Sequence, residues 1–236
     1  KCNFCLWVQV MYDNKKYRRF DPKRVVDEME YVVKEYGAKE IYFDEDNFCV
    51  HKKHVISLCE EIKNRNLNIK WSCMGDAMTA DEDMIRAMSE AGCIYMKFGV
   101  ESGNKEILKK IGKPLDPDRA VLVSEWCWKY GIMTHATFMF GLTGETMKTM
   151  EETLNLANKI KFDYAQASIA TPFPGTRMYQ EAVEKVEIDL NEKNENFDGT
   201  QSSVMRYSNN LKSEDVVNFR KKAIRSMIFN KLKNLT

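Results

Sequence analysis

The chain has 236 residues, 44% of them apolar and 30% charged, with a formal net charge of +1; this is enough for one large domain with a real core. Acids and bases are interspersed, so no electrostatic footprint for nucleic acid is visible and no nucleic-acid partner is expected. No apolar run approaches the roughly 20 residues that span a membrane, and even Met133 to Leu142 is broken by Thr134, His135 and Thr137. The N-terminus lacks the basic-then-apolar order of a signal peptide. Seven cysteines, odd in number and scattered apart from Cys2 and Cys5, fit a reducing cytoplasm better than a disulfide scaffold.

Short apolar strands alternate with amphipathic helices along most of the chain. Asp21-Pro22 opens a helix to about Tyr36, with Asp21 as its cap, Pro22 in its first turn, and Val25, Val26, Met29, Val32 and Val33 on one face. Gly37 ends it, and Glu40 to Asp44 reads as a buried strand. A helix with Val55, Ile56, Leu58, Cys59 and Ile62 inward precedes a strand from Ile69 to Cys73. The unit repeats: Asp81 caps a helix stopped by Gly92, and a strand runs from Ile94 to Val100. Asp116-Pro117 opens a helix through Tyr130, and Met133 to Phe140 is the next strand. Thr146 to Lys161 reads as helix and Tyr164 to Ala170 as the last clear strand. Such alternation predicts parallel strands joined by right-handed crossovers.

After Pro174-Gly175 the pattern weakens. Glu184 to Gly199 reads as an acidic surface connection, and Ser213 to Leu232 as a terminal helix. The expected organisation is a core over 1–182 and, over 183–236, a connection and helical appendage packed on that core.

Ligands of parallel α/β folds collect at the carboxyl ends of the strands. Those ends here are Asp44-Glu45-Asp46-Asn47, Ser72 to Asp76, Glu101-Ser102-Gly103-Asn104, Gly141 to Glu145 and Thr171 to Thr176. Carboxylates, hydroxyls and glycines of this kind suit a polar cofactor with an amino-acid end and a ribose, and they also make ordinary loops. At the start of the chain, Cys2-Asn3-Phe4-Cys5 can offer two thiolates to one metal centre. By itself a C-x-x-C is also half of a zinc site or a thiol redox pair, although no second pair exists to complete a zinc site.

Five segments in this order resemble the core of the radical S-adenosylmethionine superfamily: Cys2–Cys5, Ile41–Phe48, Phe98–Asn104, Phe140–Thr146 and Thr171–Tyr179. They are most similar to the branch whose members carry a cobalamin-binding domain before the core. The resemblance covers Lys1 to roughly Tyr207 and implies a partial (β/α)6-type parallel barrel, TIM-like, with its first strand absent from this chain. It implies a [4Fe–4S] cluster held by the thiolates of C-x-x-x-C-x-x-C, with S-adenosylmethionine on the remaining iron. Cys2 and Cys5 match the second and third cysteines; the first would be the third residue before Lys1, so an N-terminally truncated core is expected. Phe4 matches the aromatic position near the adenine, and Asp44, Glu45 and Asp46 the acids that receive the methionine amino group. Glu101, Ser102 and Asn104 match the ribose segment; Gly141, Glu145, Thr171 and Pro172 would flank the adenine and methionine ends. The arginine common after the strand at Cys73-Met74-Gly75 is missing, which leaves the methionine carboxylate without a named partner.

The implied chemistry is reductive cleavage of S-adenosylmethionine to a 5′-deoxyadenosyl radical that takes hydrogen from a small-molecule substrate, lipid-like or tetrapyrrole. The electron donor would be a flavodoxin or ferredoxin, and with cobalamin from an upstream domain the outcome would be methyl transfer or cyclisation. Two alternatives stand beside it: a methylthiotransferase-like enzyme without cobalamin, and a non-catalytic metal-binding fragment.

Among the remaining candidates, Cys59, Cys93 and Cys127 read as core and Cys73 as a strand-end thiol facing the pocket. His51 and His54, near Cys49, read as a solvated helix start, and His135 as a hydrogen-bonded core histidine. Tyr42, Trp71, Tyr95 and Lys97 alternate along strands, so that some face the lumen. Arg220-Lys221-Lys222 reads as a solvated face.

Overall fold

In the computed structural model, residues 2–11, 17–185, 188, 198–207 and 211–233 are described. The acidic connection expected over 184–199 falls mostly outside the described residues. Five strands form one wholly parallel sheet in sequence order: β1 (Glu40–Phe43), β2 (Lys70–Gly75), β3 (Cys93–Glu101), β4 (Met133–Phe140) and β5 (Tyr164–Ile169). The helices are α1 (Pro22–Tyr36), α2 (Lys52–Asn64), α3 (Glu82–Glu90), α4 (Lys105–Lys110), α5 (Pro117–Lys129), α6 (Met147–Ala157), α7 (Arg177–Glu184) and α8 (Ser213–Lys233). One helical crossover, or a pair, joins each strand to the next, so the sheet is singly wound and open between β1 and β5. It is the open α/β barrel expected.

The start signals act as read. The Asp21 carboxylate accepts from Lys23 N at 2.9 Å, Asp81 from Met84 N at 3.0 Å and Asp116 from Asp118 N at 3.3 Å. Gly37 ends α1 at φ 64°, where its N–H reaches the Val32 and Val33 carbonyls. Thr146 and Thr149 cap α6 reciprocally.

Several boundaries differ from expectation. β2 runs two residues further, to Gly75, and β3 reaches Glu101. Helix α6 ends at Ala157, since Asn158, Lys159 and Ile160 turn towards β5. Two short elements carry too few residues to show a period: α4, and a π-helical stretch from Trp7 to Met11.

Strand alternation divides the sheet into unlike faces. Trp71, Cys73, Met96, Phe98, Ala136, Phe138 and Phe140 are fully buried on the helix side. Trp71 donates from Nε1 to Ala91 O at 2.8 Å, and its ring lies 5.4 Å from Phe43 and 5.1 Å from Phe48. Trp71 is therefore core and not lumen. Cys73 is likewise on the helix face, not in the pocket: it shares that side with Gly75, where an added Cβ would meet Met96 and Cys49. The other face carries Tyr42, Met74, Tyr95, Lys97, His135, Thr137, Tyr164 and Gln166, all half-buried or exposed. This is the lumen.

Helix α8 and a returning segment cover the β5 edge. Arg220 Nε donates to Ala167 O at 2.6 Å, Lys231 Nζ to Asp163 O, and Ile169 N to Gly199 O at 2.7 Å. Arg220 is thus an edge clasp, while Lys221 and Lys222 stay exposed as expected. At the opposite edge, a groove of about 520 Å³ lies against β1 between residues 17–20 and α1. No helix among the described residues is long and apolar enough to cross a membrane.

Candidate active site at the carboxyl ends of the strands

Cys2 and Cys5 sit on a tight turn, with Cys5 N donating to Cys2 O at 3.3 Å. Both thiols are half-buried, in no disulfide, and make no hydrogen bond among the described residues. The loop is held by its neighbours. Asn3, buried, donates its N–H to Ile111 O at 2.8 Å beyond α4, accepts from Met178 N at 2.9 Å in α7, and donates from Nδ2 to Glu181 at 3.2 Å. Gln9 reaches back from the π-helical stretch: Nε2 lies 3.1, 3.1 and 2.8 Å from the carbonyls of Cys2, Asn3 and Cys5, and Oε1 accepts from Arg177 N at 2.8 Å. One side chain thus spans the whole C-x-x-C turn and ties it to α7.

Beside Cys2 is a buried ion pair absent from the sequence reading. Lys113 Nζ lies 3.6 Å from Glu101 Oε1, with both side chains 11% exposed. Burial acts to lower the Lys113 ammonium, but Glu101 and then Asp76 outweigh it and hold it above the usual lysine range. Burial pushes the Glu101 carboxyl up against the pull of Lys113. Burial also pushes the Cys2 thiol up, with Lys113 opposing. Glu101 reaches this place through its backbone: it stands at φ 65°, after a register shift between Gly99 and Glu101 against β4. Left-handed backbone in a residue with a Cβ costs about 1–2 kcal/mol, and such irregularities re-aim side chains at strand ends. Gly99 leaves room for the carboxylate, since any Cβ there would push Glu101 Oε1 away.

The other expected residues divide between mouth and scaffold. Asp44 and Asp46 are exposed and Glu45 is half-buried, its carboxyl raised by burial and then by Asp46. Phe4 packs half-buried on the core. Ser102 is fully buried, with Oγ 3.2 Å from Thr153 Oγ1, and Asn104 caps α4 through Ile107 N at 2.9 Å while donating to Glu152 at 2.6 Å. Both are engaged in joining β3 to α4 and α6. Glu145 is buried too; its Oε2 accepts from Gly141 N at 2.6 Å and Leu142 N at 3.0 Å, while Oε1 has no partner. Burial pushes this carboxyl up to about 8, against those two donors. Gly141, at φ 79°, lies against Tyr207, where a Cβ would be 2.3 Å from the hydroxyl. Thr171 and Pro172 are buried beyond β5, Thr171 donating to Ile169 O at 3.2 Å.

The structure therefore brings Cys2, Cys5, Glu101 and Lys113 to one side of the mouth. Asp44 to Asp46 lie beyond β1 and the Gly141–Glu145 turn beyond β4. Cys49 is fully buried, its thiol pushed up to about 12 by burial. Among the described residues no three or more His, Cys, Asp or Glu side chains group as metal ligands, His51 and His54 included.

A singly wound, open parallel barrel with a thiol-bearing loop docked on its carboxyl-end mouth defines the class of protein. The Radical SAM superfamily profile matches residues 1–157, and the chain belongs to that superfamily. An uncharacterized methyltransferase of Pyrococcus horikoshii is 36% identical over 182 residues, covering 77% of this chain and 39% of that protein. The anaerobic magnesium-protoporphyrin IX monomethyl ester cyclase of Rubrivivax gelatinosus is 31% identical over 189 residues, covering 79% and 34%. Among solved structures, the radical S-adenosylmethionine methyltransferase TsrM from Kitasatospora setae, with cobalamin and a [4Fe–4S] cluster bound, superposes with a TM-score of 0.70. It is 22% identical, over 78% of this chain and 35% of TsrM. The chain thus spans between a third and two-fifths of these curated relatives. Membership of the superfamily implies a [4Fe–4S] cluster and S-adenosylmethionine. The donors here suit part of such a site: two adjacent unpaired thiols beside a buried ammonium.

Two outcomes follow from this geometry. Replacing Gln9 by Leu removes the clasp across the cysteine turn; hydrogen exchange at the Cys5 and Met178 amides should speed at least tenfold, with global stability falling by about 1–2 kcal/mol. Unchanged exchange would mean that Gln9 does not hold the loop. The raised Glu145 carboxyl binds its proton more tightly folded than unfolded, so its contribution to stability falls as pH rises from about 4.5 to about 8. The slope is at most about 1.4 kcal/mol per pH unit. Denaturant titrations across that window should show the decline in the wild type and a flatter profile in Glu145→Gln.

Proposed function

We propose that this chain is the catalytic core of a radical S-adenosylmethionine enzyme, with Cys2 and Cys5 giving two of three thiolates to a [4Fe–4S] cluster and the third supplied from outside residues 1–236. The observation that carries this reading is the C-x-x-C turn pinned by Asn3 and Gln9 against the mouth beside Lys113 and Glu101. Held there, such a cluster would supply the one electron needed to cleave S-adenosylmethionine into methionine and a 5′-deoxyadenosyl radical, the species that would take hydrogen from substrate.

The chain's own residues bind and orient. Lys113 is the partner for the methionine carboxylate that the sequence alone did not name: it is a buried cation next to the cysteine turn, and its ammonium has donors to spare beyond Glu101. Acids among Asp44, Glu45 and Asp46 receive the methionine amino group. Glu101 is an acceptor for ribose hydroxyls, held at fixed height by the bulge at the end of β3. Ser102 and Asn104 serve that segment indirectly, by anchoring it to α4 and α6. Glu145 shapes the Gly141–Leu142 turn; with Thr171 and Pro172 it closes the far wall against water.

The kinship with a methyltransferase and a tetrapyrrole cyclase supports a small-molecule substrate, and methyl transfer or cyclisation as the outcome. Cobalamin would come from another part of the full-length protein. The unpaired thiols support a reducing, cytoplasmic setting.

Anaerobic reconstitution with iron and sulfide, followed by electron paramagnetic resonance of the reduced full-length protein, tests the proposal. A cluster signal that shifts on adding S-adenosylmethionine is expected. One zinc per chain with no sulfide would instead support a non-catalytic metal-binding role.

A further inference from the structure

We propose that the lumen beneath the cofactor mouth holds an anion subsite, built on Lys97 and His135, that receives a carboxylate of the substrate. This deepens the preceding reading and rests on it for what lies above the subsite.

The strand register stacks the lumen in layers. Met74, Lys97, His135 and Tyr164 stand opposite one another across β2 to β5, and Gly99, Thr137 and Gln166 form the next layer towards the mouth. At a rise of about 3.3 Å per residue, Lys97 lies roughly 13 Å along β3 from Glu101. Between them stands Gly99, over which the Glu101 carboxylate folds beside Lys113. A molecule held under the mouth would reach Lys97 past that ion pair.

The charges in this layer are unmatched. Lys97 is half-buried and makes no ion pair or hydrogen bond of its own among the described residues, though its charge reaches Glu101, which is paired with Lys113. The acids along this face are engaged: Asp76, two residues beyond Met74, accepts from Met78 N at 2.7 Å, and Glu40, near the opposite end of the strands, accepts from Ser72 Oγ at 3.1 Å. His135 Nδ1 lies 2.6 Å from the Tyr95 hydroxyl, and its ring rests 6.2 Å from that of Tyr95 and 6.3 Å from that of Tyr164. Its Nε2 is buried and has no partner.

Burial, and then the Lys97 charge, lower the His135 imidazole, while burial raises the Tyr95 phenol. In the tautomer whose Nδ1 accepts from the Tyr95 hydroxyl, the neutral imidazole carries its hydrogen on Nε2 and can donate it. A cation with no ion pair of its own and an unpartnered imidazole nitrogen, with the nearby Glu101 already paired to Lys113, call for an anionic oxygen. A single positive charge balances a monoanion, a carboxylate, better than a phosphate dianion. The tyrosine rings alongside favour a planar or ring-bearing body behind that carboxylate. Nothing in cofactor binding uses these groups.

Benzoate and its neutral analogue benzamide are suitable probes, measured by saturation-transfer magnetic resonance on the reconstituted full-length protein. Wild type should bind benzoate at least tenfold more tightly than benzamide. Lys97→Met should abolish that preference while benzamide binding stays, Lys97→Arg should restore most of it, and His135→Asn should weaken benzoate severalfold. Equal binding of the two probes, or benzoate binding indifferent to Lys97→Met, would overturn the subsite. The cluster signal of the same wild-type sample, read with and without S-adenosylmethionine, separates the two ideas. A responsive cluster without benzoate selectivity refutes the subsite alone. Benzoate selectivity that depends on Lys97, with an unresponsive cluster, keeps the subsite and refutes the cofactor assignment.

Discussion

Everything at this site depends on the two-sidedness of a parallel sheet. Wholly parallel sheets usually bury both faces and read as continuous apolar runs. Here β3 and β4 instead alternate between large apolar side chains towards the helices and polar ones towards the lumen. The fold is held by the helix face alone, where Trp71, Met96, Phe98, Phe138 and Phe140 join one core. The lumen face is thereby released from packing and free to carry Lys97, His135 and three tyrosines. A sheet of this kind is stable without filling its interior, and that interior becomes a chamber.

The mouth of the chamber is built from small departures from regularity. The bulge after Gly99 lifts Glu101 out of the strand and into left-handed backbone, at a cost of about 1–2 kcal/mol, and there its carboxylate meets Lys113. Lys113 returns to the mouth because α4 is only six residues long. The cysteine turn gains its position from others, through Asn3 to Ile111 and Met178 and through Gln9 to Arg177. Disturbing α7 should therefore be felt at the thiols, although α7 itself carries no group for the chemistry. A buried ion pair is weak evidence for stability in itself; here its value is in fixing where a carboxylate and an ammonium stand.

Much of this was legible in the sequence because the signals are local. Asp21, Asp81 and Asp116 cap helices and Gly37 ends one, as their spacing required, and each strand was located to within two residues. What remained hidden was set by tertiary contact. Lys113 is one lysine among several after Ile107, and only the fold brings it to Glu101. Gln9 lies in a π-helical stretch that has no period to read. In Trp71-Ser72-Cys73-Met74 no clear alternation tells one face from the other, which leaves Trp71 open to either and turns Cys73, wrongly, towards the pocket. Asn104 did carry a signal, since an Asn ahead of Lys-Glu-Ile-Leu is a helix cap, but its place in the ribose segment drew the reading elsewhere.

The central claim is that Lys113, stationed by Glu101 beside the cysteine turn, holds the carboxylate of S-adenosylmethionine. A double-mutant cycle between protein and ligand tests it most directly, by calorimetric titration of S-adenosylmethionine and its decarboxylated analogue into reconstituted wild-type and Lys113→Met protein. If the two groups meet, each loss alone weakens binding by about tenfold or more and the second loss adds little, a coupling of roughly 1–3 kcal/mol. If the two losses add independently, the carboxylate lies elsewhere and the account of the mouth is wrong.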